Sequence, residues 1–185
     1  IWRLSGKYVE PQIVDQFSIG YYKNIARNNV LEFSVETYYK GIKNLVDFKV
    51  GADLQFNKAI ETDLLQGDGR SYGLELSAKK SNGWFTGWFN YTWSRSFIRL
   101  NGDFSEERVN GGDFFQTTYD KPHYLNMVTN YKFTRRYSLS LNLVYSSGRP
   151  VTYPIGKWQF NTAESLQYSE RNAFRIPDYF RVDLG

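Results

Sequence analysis

The sequence predicts an all-β fold, an antiparallel transmembrane β-barrel segment of roughly seven strands. Three observations carry that prediction. Polar and apolar residues alternate over runs of about ten residues or more. Bulky aromatics cluster at strand ends rather than centres. The connections alternate strictly between short and long.

The stretch Gly67–Ser96 shows the pattern best. Tyr72, Leu74, Leu76 and Ala78 point one way, against Gly73, Glu75, Ser77 and Lys79. Ser81-Asn82-Gly83 is a hairpin turn signal, because Asn and Gly tolerate the positive φ of a tight turn. Phe85, Gly87, Phe89, Tyr91 and Trp93 then alternate with Thr86, Trp88, Asn90, Thr92 and Ser94. One face is aromatic and apolar; the other is polar and ionisable.

The remaining elements follow in order. Gln12–Lys23 reads as a strand, with Phe17, Ile19 and Tyr21 on one side, and Asn24–Asn29 as a polar turn. Val30–Lys40 is a strand with Leu31, Phe33, Val35, Thr37 and Tyr39 outward and Glu32, Ser34, Glu36, Tyr38 and Lys40 inward. Two carboxylates on one strand face are costly in a packed core and at home in a wet lumen. Gly41–Gln66 reads as a long connection, with Leu45–Val50 able to prolong the strand. Phe97–Thr118 is a second long loop. Tyr124–Phe133 and Tyr137–Ser147 are strands joined by the short turn Thr134–Arg136. Gly148–Ile176 is the third long loop, and Pro177–Gly185 begins another strand. Short turns on one side and long loops on the other are the arrangement of bacterial outer-membrane barrels, with the short turns periplasmic and the long loops extracellular.

Composition agrees. The chain has 185 residues, enough for one domain, and no cysteine, which excludes disulfides and thiolate metal sites. Aromatics make up 18%, which favours sheet. Mean hydropathy is −0.55 and no apolar run is long enough for a transmembrane helix; alternating barrel strands average out in this way. The net charge of +4 comes from scattered Lys and Arg and does not point to nucleic acid. The beginning, IWRLSGKYVEP, lacks the pattern of a signal peptide, and the chain stops inside a strand. Both ends read as cut from a longer barrel. As an open sheet with two unpaired edges, the segment is not expected to fold alone.

The strings PQIVDQFSIGYYKN, FSVETYYKGIKN, LLQGDGRSYGLEL, GWFNYTWSRS, YDKPHYLN, SSGRPVTYP and IPDYFRVDL, in that order, carry a resemblance. The chain resembles the C-terminal part of the barrel of TonB-dependent outer-membrane receptors, in the style of Bacteroidetes-type bacteria. That resemblance implies a barrel of about 22 strands, an N-terminal plug and a TonB box. It also implies active uptake of a siderophore complex, cobalamin, haem, a glycan or a peptide, and a surface lipoprotein partner in some glycan receptors. Plug, TonB box and a final strand ending in an aromatic are missing from this stretch, so energy-coupled transport is expected of a parent protein. No enzyme chemistry and no cofactor are expected. The rival readings are a soluble aromatic-rich β-sandwich that binds carbohydrate and an outer-membrane barrel that is a passive pore, adhesin or enzyme.

Candidate site residues fall into three groups. Glu32, Glu36, Glu75, Lys79, Arg181 and Asp183 share the inferred lumen face. Arg149, Tyr153, Trp158, Phe160, Tyr168 and Arg171, in the third long loop, offer stacking surfaces and polar partners for a ligand. Arg70, Arg95 and Arg99, with Arg149, lie near the long-loop ends, where their guanidinium forks match lipopolysaccharide phosphates in geometry. His123 is the sole histidine, with no second His or Cys to share a metal, so it reads as structural. No spacing supports a Ser–His hydrolase. GDGRSYG (Gly67–Gly73) superficially suggests a phosphate loop but leads into a strand, not a helix, and reads as a tight start to that strand. Asp103, Glu106, Glu107 and Asp113 do not have the spacing of a Ca²⁺ loop and read as a solvated acidic loop.

Overall fold

The computed structural model describes residues 5–6, 9–25, 31–49, 52, 60–160 and 163–185. Twelve strands form among them: β1 (Ile13–Ile25), β2 (Leu31–Phe48), β3 (Leu64–Lys80), β4 (Phe85–Arg99), β5 (Phe115–Gln116), β6 (His123–Lys132), β7 (Ser138–Ser146), β8 (Pro150–Val151), β9 (Pro154–Phe160), β10 (Ala163–Tyr168), β11 (Phe174–Arg175) and β12 (Tyr179–Leu184). Seven of them make one antiparallel sheet in the order β1-β2-β3-β4-β6-β7-β12, and β5 adds to the upper part of β4. These seven are the strands the alternation predicts.

The register joins the two predicted faces across the whole sheet. One continuous row runs Tyr21, Val35, Leu76, Tyr91, Leu125, Tyr145, Phe180. The row beside it, on the other face, runs Tyr22, Ser34, Ser77, Asn90, Asn126, Val144, Arg181. Because side chains alternate with period two, matched registers keep the two faces continuous from strand to strand, with Val144, Val128 and Trp88 as apolar members of the otherwise polar face. No second sheet covers that side among the described residues: Phe17 is 70% exposed and Phe180 63%. A sandwich would bury these rings. Tyr131, Phe133, Tyr137 and Phe85 gather at its short-turn end, as in an aromatic girdle.

Four boundaries differ from the sequence reading. The second long loop, read from Phe97 to Thr118, begins later, because β4 runs on to Arg99, and it contains β5. The connection placed at Gly41–Gln66 is shorter than that: β2 runs on to Phe48 and β3 begins at Leu64. For the same reason Gly67–Gly73 lies inside β3 rather than at its start. Its glycines permit close approach: a Cβ at Gly67 would stand 2.0 Å from the Arg99 carbonyl oxygen. The third long loop is not irregular throughout. It contains the β9–β10 hairpin and the β8–β11 pair. The turn read as Asn24–Asn29 begins within β1, and residues 26–30 lie outside the described residues, as do 50–51 and 53–59 in the first long loop.

A bulge in β2 has consequences for the site. Ile42 pairs with Gly69 and Leu45 with Gly67, so Lys43 and Asn44 both face Asp68. Asn44 takes the left-handed conformation (φ 57°) that this needs. Beyond it the parity of β2 flips, and Leu45 and Asp47 turn to the polar side. There Leu45 packs on a small core of Leu65, Ile98, Leu100, Val109 and Phe115. That core sits at the long-loop end, on the extension of the polar face, where Leu100, Val109 and Phe115 pack with Leu65 and Ile98.

Candidate functional site

The long-loop end is laced together by side chains that reach backbone groups. Asp120 is the centre. Its side chain is 0% exposed, and Oδ1 accepts the Ser96 N–H at 2.6 Å and Arg95 Nε at 3.4 Å. Arg175 Nη2 donates to Asp120 Oδ2, and its Nη1 to the carbonyls of Asp120 (2.9 Å) and Gly148 (2.8 Å). A buried carboxylate with two guanidinium partners and a backbone donor is fully satisfied. The second loop meets the third at Asn110 and Arg171. The Asn110 side chain donates to the Arg171 carbonyl (2.9 Å) and accepts its N–H (2.8 Å), copying a β-bridge. Arg171 then reaches Asp47 Oδ2 (3.0 Å) and the Phe48 carbonyl (2.7 Å). Asn172, buried and at φ 58°, donates to the Gln116 carbonyl at 2.7 Å.

Two open cavities of about 410 and 430 Å³ flank Arg171. One is lined by Asp47, Thr117, Tyr119 and Thr152, the other by Lys49, Arg108, Tyr168 and Glu170. Both lie in the size range of small-molecule sites. At the sheet edge, Asp178 accepts from the Tyr145 hydroxyl (2.5 Å) and the Gly148 N–H (2.8 Å). The Tyr145 hydrogen bond, then that of Gly148, holds its carboxyl below the usual carboxylate range.

The sequence-predicted residues fall as follows. Glu32, Glu36, Glu75, Lys79, Arg181 and Asp183 share the polar face by register. Lys79 lies 3.7 Å from Glu32, and Arg181 is 2.8 Å from Asp183. Trp158, Tyr153 and Tyr168 are exposed on or beside the β9–β10 hairpin, and Arg149 is exposed at the base of the loop. Phe160 closes β9, and its side chain lies outside what the structure describes. Arg171 is instead occupied as a tie between loop and wall. Arg70, Arg95 and Arg99 stand on the apolar-side parity, above Tyr72 and Trp93. His123 starts β6, where its Nδ1 lies 2.8 Å from the Tyr91 hydroxyl. Among the described residues no three His, Cys, Asp or Glu come together as a metal site.

Sequence reasoning missed Asp120, Asn110, Asn172, Arg175 and Asp178. For two of them a signal existed: Asp120 and Asp178 sit in the strings YDKPHYLN and IPDYFRVDL.

A twisted antiparallel wall with one apolar and one polar face, short turns at one end and long laced loops at the other, defines an outer-membrane β-barrel. The chain matches the family described as TonB dependent receptor-like, beta-barrel, over residues 3–185, and it belongs to that family. No curated protein matches it. It is thus a receptor and transporter barrel of the bacterial outer membrane, of a family that works with TonB and a ligand.

Proposed function

We propose that the chain forms the wall and extracellular mouth of an energy-coupled nutrient transporter, with the β9–β10 hairpin as the first ligand contact. One observation carries the reading. Trp158 is 67% exposed, yet its ring is held: Nε1 donates to Gln167 Oε1 at 3.2 Å. Gly156, two residues before Trp158 on the same hairpin face, pairs with Gln167 and leaves the ring uncovered. A fixed, open indole beside an amide suits stacking on a sugar or a planar ligand. Tyr153, edge-on to Phe174 at 6.3 Å, Tyr168 and Arg149 extend the surface. Glu32, Glu36, Glu75, Lys79, Arg181 and Asp183 then line a wet path, and TonB engages a segment N-terminal to this one.

The test is whole-cell uptake by the full receptor, with siderophore, cobalamin, haem, glycan and peptide substrates compared. Trp158→Ala is expected to raise the KM for one class by roughly three- to tenfold. Dissipating the proton-motive force is expected to stop that uptake. Uptake that survives dissipation would point to a passive pore. No loss with Trp158→Ala on any transported class would remove the hairpin from ligand capture.

A further inference from the structure

The outward side of the long-loop end carries a basic, aromatic cluster just above the apolar rows. Arg70 pairs across the sheet with Phe97, and Tyr72 with Arg95, so the two arginines are diagonal neighbours. The Arg70 guanidinium stands 4.1 Å from the Phe114 ring centroid and 5.3 Å from that of Phe97. Arg95 lies 4.8 Å from Phe97 and Arg99 5.0 Å from Phe114. The rings hold the guanidinium planes in place.

The arginines are not equivalent. Arg99 is committed to Asp68 at 2.5 Å. Arg95 and Arg175 share the single carboxylate of Asp120. Arg70 has no carboxylate partner among the described residues, and its Nε is buried without a hydrogen bond. Its guanidinium is held by aromatic rings rather than by a carboxylate. Four arginines meet two aspartates here, and the uncompensated positive charge is centred on Arg70.

We propose that Arg70, supported by the surplus charge of the Arg95–Asp120–Arg175 cluster, binds a phosphate of an acylated, phosphorylated glycolipid of the outer leaflet, lipopolysaccharide in type. Three things select that occupant. The guanidinium fork matches phosphate geometry. The cluster faces outward rather than into the lumen. Directly below it, Leu74 and Trp93 continue the apolar face on which acyl chains would lie. Of Arg70, Arg95 and Arg99, Arg70 is the principal contact. Glycolipid binding there rests on the apolar face meeting lipid, which refolding of Leu76→Arg into vesicles reports separately, so the two failures are distinguishable.

The test is native mass spectrometry of the full receptor extracted from outer membranes in mild detergent. Retained phosphorylated glycolipid is measured, with the mobility shift between boiled and unboiled samples as the check of folding. Arg70→Gln is expected to lower retention about tenfold. Asp68→Asn frees Arg99 and is expected to raise it. Should Arg70→Gln fail to fold, Arg70→Lys, which keeps the charge but not the fork, is expected to lose several-fold. Enzymatically dephosphorylated glycolipid is expected to bind more weakly, and millimolar inorganic phosphate to leave bound lipid in place. Unchanged retention in the Arg70 variants, equal binding of the dephosphorylated lipid, or displacement by inorganic phosphate would each overturn the assignment.

Discussion

Glu36 and Glu75 stand directly opposite one another on β2 and β3. Like charges in that position destabilise a strand pair, and the arrangement is tolerable only where water screens it. It marks the polar face as wet.

Neutralising one of the two carboxylates should therefore help the wall. Glu75→Gln is expected to stabilise the barrel by roughly 0.2–1 kcal/mol, read as a higher urea midpoint for refolding into vesicles. A lower midpoint would show that the pair has a cationic partner elsewhere in the barrel.

Leu76 and Ser77 are adjacent in sequence and face opposite ways. Leu76→Arg places a charge against lipid and is expected to cost about 2–4 kcal/mol if it lies near the bilayer midplane. Ser77→Arg projects into the lumen and is expected to change stability little. Equal costs for the two variants would contradict the assignment of faces.

Asp120 joins β4 to the second and third loops. Asp120→Ala leaves Arg95 and Arg175 facing each other without a carboxylate. A loss of about 3–5 kcal/mol in the local stability of the loop end is expected. Limited proteolysis should cut within residues 147–178 far faster, while the strands stay protected.

Asp178 provides a pH test. Its carboxyl is held below the ordinary range, chiefly by the Tyr145 hydroxyl and then by the Gly148 N–H. A depressed folded pKa means that the contribution is fully present above the unfolded value, about 3.9, and is lost as pH falls through the folded one. The tie should therefore hold unchanged between about pH 5 and 8. Tyr145→Phe is expected to move the Asp178 titration upward, followed by carboxyl carbon NMR. An unmoved titration would show that the tyrosine does not hold the carboxylate.

The sequence by itself determined the seven wall strands, the division into apolar and polar faces, and the sorting of turns from loops. Period-two alternation is local, and it needs no partner strand to be read. Glu32, Glu36, Glu75 and Lys79 could be placed on one face from β2 and β3 alone, and Arg181 and Asp183 from β12, because parity within a strand is arithmetic. Only the tertiary structure decided how the loop end is built. The bulge at Lys43–Asn44 inverts the parity that would otherwise send Leu45 and Asp47 outward. Arg171 and Asp47 lie 124 residues apart and meet only after folding. Asp120 and Arg175, 55 residues apart, are brought together in the same way. Such ties depend on where distant backbone groups come to lie, and local pattern carries no information on that. The same reason separates Arg70 from Arg99: the two look alike in the chain, and the nearby carboxylate that neutralises one of them is assigned only by the folded geometry.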